Sequence, residues 1–160
     1  MKAVILAGGK GTRLALVAKN TPKTLVEIGG ISVLEHQIML LEQYGIKDVW
    51  LLLGVYGDKI QEFVKAKQWN IRIHIKQEHE PLGTAGALKQ LEDEIQEDFL
   101  LLSGDIMLDM DLKRLMKWHQ KKGGILSLVV HPNDHPFDSE LVEIDEEERV
   151  TVLHHRPHEQ

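Results

Sequence analysis

The 160-residue chain contains no cysteine, which excludes disulfides, thiolate metal sites and a Cys nucleophile and fits a cytoplasmic protein. It has no excess of positive charge: 19 Lys and Arg stand against 25 Asp and Glu, a formal charge of 19 − 25 = −6. That balance argues against broad electrostatic capture of nucleic acid or anionic lipid, while leaving room for a local basic pocket that holds a phosphate. Long apolar runs are missing as well. The stretches around Trp50–Leu53 and Phe99–Leu102 fall far short of the roughly 20 residues a membrane span requires. The apolar N-terminal run breaks into Gly8-Gly9 rather than a cleavage site, so it reads as a strand and not a signal segment. With only 5 Pro, 13 Gly, 42% hydrophobic and 28% charged residues, disordered, collagen-like and mucin-like chains are excluded too.

What is present is the pattern of a soluble domain of about this length. Lys2–Ala7 is an apolar run ending in glycine, as a strand buried on both faces of a parallel sheet would be. Val49–Leu53 and Phe99–Leu102 repeat it. Between the first two, Ser32 and Glu35 form a capping box, Leu34, Ile38 and Leu41 share a helical face, and Gly45 supplies the stop. A helix over Asp58–Lys67 with Ile60, Phe63 and Val64 on one side precedes Ile71, Ile73 and Ile75, which alternate with Arg72, His74 and Lys76 as in a half-exposed strand. Thr84 is expected to cap a helix with Leu88, Leu91 and Ile95 inward, and Asp111 another with Leu112, Leu115 and Met116 inward. Strands are expected again at Ile125–Val130, Glu140–Ile144 and Val150–Leu153, with the acidic run Asp145–Glu148 as a solvated turn. The alternation predicts an α/β fold: a Rossmann-like three-layer sandwich, with a mostly parallel mixed sheet and helices on both faces.

The segment that carries chemistry is Leu6-Ala7-Gly8-Gly9-Lys10-Gly11-Thr12-Arg13-Leu14. Glycines directly after a buried strand let backbone N–H groups approach an anion without Cβ obstruction. Arg13 adds a forked donor suited to phosphate oxygens, and Lys23 after Pro22 adds a compact cation. A Walker A loop does not fit, because the only Gly-Lys pair is followed by Gly11. The dinucleotide fingerprint fits poorly, meeting Leu14 where its third Gly belongs. Five of the 9 His lie after residue 130, but without a shared helix face or any cysteine they read as surface residues rather than a zinc site.

The glycine loop, Pro22-Lys23-Thr24-Leu25-Val26, Leu34-Glu35, Pro81-Leu82-Gly83-Thr84-Ala85-Gly86-Ala87 and Ser103-Gly104-Asp105 together resemble the sugar-phosphate nucleotidylyltransferase family, in its order and over nearly the whole chain. The similarity is greatest to its mannose 1-phosphate and manno-heptose 1-phosphate guanylyltransferases. The resemblance implies transfer of a nucleotidyl group from an NTP to a sugar 1-phosphate, with Mg²⁺ as cofactor and pyrophosphate as product. Leu6, Ala7, Gly8, Gly9, Gly11, Thr12 and Arg13 would hold the nucleotide together with Glu78, Gly83 and Thr84. Arg13, Lys23 and Asp105 would be the catalytic set. Asp105 would bind the metal, and Lys23, Glu140 and Arg156 the sugar phosphate.

Glu78 stands where the resemblance places a base-reading side chain, with Glu80 the other candidate for that role; a carboxylate there favours GTP, since it has two acceptors for the adjacent N1–H and 2-amino donors of guanine. A uridylyl or thymidylyl relative, or a nucleotide-binding regulatory module without turnover, remains the alternative. The resemblance implies one nucleotidylyltransferase domain over 1–160, with a nucleotide-binding portion over about 1–130 and the start of a sugar-binding portion over about 131–160. It also implies a missing C-terminal part, because the family's second metal-binding Asp falls beyond the equivalent of Gln160. Where the family has Arg-Pro, Tyr-Gly and Glu-Lys-Pro, this chain has Ala15-Leu16, Ser139-Glu140 and His155-Arg156-Pro157. Expected partners are the two small-molecule substrates, not nucleic acid or membrane, with a homo-oligomer or fused domain left open.

Overall fold

The computed structural model describes residues 1–9, 21–78, 82–132 and 139–156. It divides into two units, Met1–Leu115 and Met116–Gln160. In the first unit, β1 (Lys2–Ala7), β4 (Asp48–Leu53), β5 (Arg72–Gln77) and β6 (Phe99–Ser103) form one sheet in the order β5-β4-β1-β6. All its pairings are parallel. Two short strands, β2 (Glu27–Ile28) and β3 (Ile31–Ser32), make a separate antiparallel pair.

Beyond Lys2 and Asp48 at their starts, the two central strands are apolar, as suits strands covered on both faces. Val4, Trp50 and Leu52 pack with Ala87 and Leu91, and Leu6, Leu88 and Ile95 close that cluster. These helical residues come from α3 (Gly83–Lys89) and the turns after it. On the opposite face of the pleat Ala3, Ile5, Val49, Leu51 and Leu53 are also buried. The apolar stripes of α1 (Val33–Gln43) and α2 (Gly57–Lys65), with Leu34, Ile38, Leu41, Ile60 and Val64 buried, supply the second helical layer.

Local signals explain the helix ends. Ser32 Oγ accepts the Glu35 N–H at 3.2 Å and caps α1. The reciprocal arm of the predicted capping box is not made, since the Glu35 carboxylate takes the Lys67 ammonium instead. At the other end Gly45, with φ +77°, donates to Glu42 O and Ile46 donates to Leu41 O, the paired bonds of a Schellman stop. Asp111 Oδ1 accepts from Arg114 N–H at the start of α4 (Leu112–Lys122).

Two expectations are corrected. Thr84 does not cap α3, because the helix already begins at Gly83, behind Leu82, with no side-chain cap bond. The glycine takes φ +69° there, a backbone state that a side chain strains. Ile125–Val130 forms no strand. Its Ile125, Leu126, Leu128, Val129 and Val130 are exposed, and no described strand pairs with them. A β-favouring run needs a partner and a buried face before it becomes a strand. In the second unit, β7 (Leu141–Ile144) and β8 (Val150–His154) pair antiparallel. Asp145–Glu148 forms the turn between them as expected, closed by Asp145 N–H to Arg149 O at 3.0 Å.

Candidate active site

The order β5-β4-β1-β6 reverses the direction of winding between β1 and β6. Ligands of open parallel sheets bind beyond the carboxyl ends of strands at such a point. A cleft of about 340 Å³ lies there, lined by residues of the first unit only. Its floor is the end of β1 and the chain just after it, Leu6 to Gly9. Pro22, Lys23 and Thr24 enter at the start of a 3₁₀ turn (Lys23–Leu25), and Ser103, Gly104 and Asp105 enter from β6. Tyr56, Glu78, Gly83, Thr84 and Ala87 complete the wall.

The β1 and β6 ends are held tightly. Gly104 N–H donates to Leu6 O at 2.8 Å, and a Cβ on Gly104 would stand 2.7 Å from both that oxygen and Thr24 Cγ2. Only glycine fits between them. Gly9 differs: among the described residues a Cβ there would meet nothing within 4 Å, and the residue lines the cleft.

Lys23 and Asp105 are 82 residues apart in sequence, yet Lys23 Nζ donates to Asp105 Oδ2 at 3.2 Å. The other carboxylate oxygen accepts from Ser103 Oγ at 2.7 Å. The Ser103 hydroxyl, and after it the Lys23 ammonium, hold the Asp105 carboxyl below the usual carboxylate range, against partial burial that pulls the other way. The group is therefore an anion at neutral pH. Glu78 follows β5 directly, its position set by its N–H donating to Leu53 O at 2.8 Å.

Of the residues singled out in the sequence, Leu6, Ala7, Gly8, Gly9, Lys23, Glu78, Gly83, Thr84 and Asp105 thus meet in one cleft. Gly11, Thr12 and Arg13 lie outside the described residues. Glu140 and Arg156 belong to the second unit, where Arg156 Nε donates to Glu140 Oε1 at 3.3 Å and His155 Nδ1 to Glu140 Oε2 at 3.1 Å. Tyr56 was not anticipated, although its place directly before α2 and just beyond the carboxyl end of β4 is a readable signal.

No group of three or more His, Asp and Glu side chains gathers among the described residues. Among the described residues the cleft offers a divalent ion the carboxylates of Asp105 and Glu78, of which Asp105 stands beside Lys23. That donor set suits Mg²⁺, which keeps several waters and binds through one or two carboxylates together with substrate phosphates.

The family model described as nucleotidyl transferase matches residues 2–160. A mannose-1-phosphate guanyltransferase of Aspergillus fumigatus is 36% identical over 162 residues, covering 98% of this chain and 42% of that protein. The Saccharomyces cerevisiae mannose-1-phosphate guanyltransferase is 36% identical over 141 residues, covering 85% and 39%. Among solved structures, HddC from Yersinia pseudotuberculosis complexed with GMP-PN superposes with a TM-score of 0.78 at 29% identity, covering 98% of this chain and 70% of that one. The chain thus spans less than half the length of the curated relatives it matches. With the family model matching residues 2–160 almost end to end, and relatives above 30% identity covering nearly the whole chain, the chain belongs to the nucleotidyl transferase family.

Proposed function

We propose that this chain transfers a nucleotidyl group from a nucleoside triphosphate, GTP by preference, to a sugar 1-phosphate, releasing pyrophosphate. The observation that carries the reading is the meeting of the post-β1 backbone, Lys23 and Asp105 in one cleft at the winding reversal. The attacking oxygen of a sugar phosphate is already ionised near neutral pH, so no general base is needed. Catalysis then rests on alignment and on neutralising phosphate charge.

In this reading the Gly8–Gly9 backbone faces the triphosphate. The Lys23 ammonium exchanges part of its pairing with Asp105 for phosphate oxygens, and bridges the α-phosphate and the incoming sugar phosphate. Arg13 supports the departing pyrophosphate. Asp105, kept anionic by Ser103 and Lys23, is the residue to hold Mg²⁺. When bound, that ion would offset phosphate charge as a Lewis acid. Glu78 reads the guanine pairing edge, and Glu140 and Arg156 take part in holding the sugar phosphate. The relatives named for mannose 1-phosphate and the GMP-PN complex of HddC support guanine and a manno-configured sugar.

The deciding experiment screens four NTPs against a panel of sugar 1-phosphates for pyrophosphate release. Release with GTP and a manno-configured sugar 1-phosphate is expected. GTP binding without any release would show a nucleotide-binding module instead.

A further inference from the structure

Gln37 is a polar residue in the wrong place. It sits in the middle of α1, on the stripe occupied by Leu34, Ile38 and Leu41, and is 1% exposed. Burying an amide among leucines is unfavourable unless it is bonded. Both protons of its Nε2 are used: one goes to Ser103 O at 2.8 Å and the other to Ile106 O at 2.8 Å. Two acceptors facing one group settle the orientation of the amide, since Oε1 in that place would confront both carbonyls. Oε1 points elsewhere and is buried with no hydrogen-bond partner among the described residues. The side chain thus accepts an unmade bond on one side to make two on the other, which is an uneconomical way merely to fill a core position.

The two carbonyls flank Asp105. Ser103 is the last residue of β6, Gly104 and Asp105 form the turn, and Ile106 leaves it. From the β1 side Gly104 N–H is tied to Leu6 O. From the α1 side the Gln37 amide spans the turn at both ends. Asp105 is the one residue of that turn whose side chain meets Lys23.

We propose that Gln37 is a positioning residue for Asp105, its amide clamping the Ser103–Ile106 turn so that the carboxylate is presented to the metal–nucleotide complex in a fixed orientation. This rests on the reading of Asp105 given under the proposed function. Hydrogen bonds formed by a side chain that touches no substrate are a known means of fixing a ligand-bearing group, and their loss weakens metal affinity by about 10–100-fold.

The test compares the wild-type chain with Gln37→Met, which keeps the length and apolar bulk and removes both donors. Gln37→Asn, which keeps the amide but falls one methylene short, serves as the second variant should Gln37→Met not fold. Amide hydrogen exchange followed by NMR is expected to quicken at least tenfold at Gly104 and Ile106, with Val4 and Leu51 unchanged. Electron paramagnetic resonance titration of Mn²⁺ in the presence of GTP is expected to show about tenfold weaker metal binding, while GTP affinity measured without metal changes less than twofold. Unchanged exchange at Gly104 and Ile106, or equal loss of metal-free and metal-linked binding, overturns the assignment. A wild-type chain without Mn²⁺-linked GTP binding overturns the nucleotidyl-transfer reading instead, and the exchange rates still decide whether Gln37 holds the turn.

Discussion

Lys23 and Asp105 neutralise each other across 3.2 Å, and a triphosphate entering the cleft competes with the carboxylate for the ammonium. Removing either partner therefore has opposite consequences for binding without metal. Asp105→Asn keeps the shape and an acceptor for Ser103 Oγ, and leaves Lys23 free for phosphate. Metal-free GTP affinity is expected to hold or rise, while kcat/KM falls by about two to three orders of magnitude, the loss of roughly 3–4 kcal/mol typical of a transition-state contact. Lys23→Ala is expected to lower both. Calorimetry with and without Mg²⁺, alongside steady-state kinetics, separates the two, and a parallel loss in Asp105→Asn would make that residue a simple turn former. Base choice is tested at Glu78. Inosine triphosphate keeps N1–H but lacks the 2-amino group, so it should bind more weakly than GTP by about 1–3 kcal/mol. Glu78→Gln should blunt the difference in a competition titration. Tighter binding of UTP or dTTP than GTP by the wild type would refute the guanylyl reading.

Among the elements, the glycines after β1 and β6 do different work, and matched substitutions expose it. Gly104→Ala drives a methyl to 2.7 Å from Leu6 O and Thr24 Cγ2. Chemical denaturation should show it less stable by about 1–3 kcal/mol, the range of an overpacked core. Gly9→Ala meets no described atom within 4 Å, so stability should stay within about 0.5 kcal/mol, while in the proposed function GTP affinity drops as the methyl intrudes on the triphosphate. A stability loss at Gly9 equal to that at Gly104 would show that both serve only the fold. The elements themselves were largely legible, because β1, β4 and α1 carry their instructions locally: apolar runs buried on two faces, a serine cap, a left-handed stop at Gly45. Gln37 was not. Its significance depends on carbonyls 66 and 69 residues away, and the only local hint was an amide standing in an apolar stripe. Ile125–Val130 misled for the converse reason: strand-forming residues without a partner are only a sticky segment.

For the whole molecule, one charged network of the sheet starts at the end remote from the cleft. Asp48 heads β4 opposite Arg72 in the register and accepts from Arg72 Nε at 2.7 Å and from His74 Nε2 at 3.0 Å. His74 in turn stacks on Trp50 with ring centroids 4.3 Å apart, and Trp50 Nε1 donates to Glu94 at 2.8 Å. This network turns the polar half of β5, read as solvent-facing, into a fastening along the sheet edge. The Arg72 guanidinium, and then His74, hold the Asp48 carboxyl far below the ordinary carboxylate range. A carboxylate with a depressed folded pKa stabilises above its unfolded pKa of about 3.9 and loses that contribution as pH falls toward the folded value. Urea denaturation should accordingly show wild type ahead of Asp48→Asn at pH 7, with the gap narrowing steadily below about pH 4. A constant gap would assign the loss to shape alone. The order of strands also has a consequence for assembly. β6 comes latest in the chain of the four yet lies directly against β1, so the Lys23–Asp105 pair closes a loop of 82 residues, among the most separated contacts in the first unit. Contacts at such separation form late, since the entropy of loop closure is lost before they are gained. During refolding, nucleotide binding should then appear with the slowest phase, after the helical signal has been recovered, so that a bound fluorescent GTP analogue reports completion of the sheet.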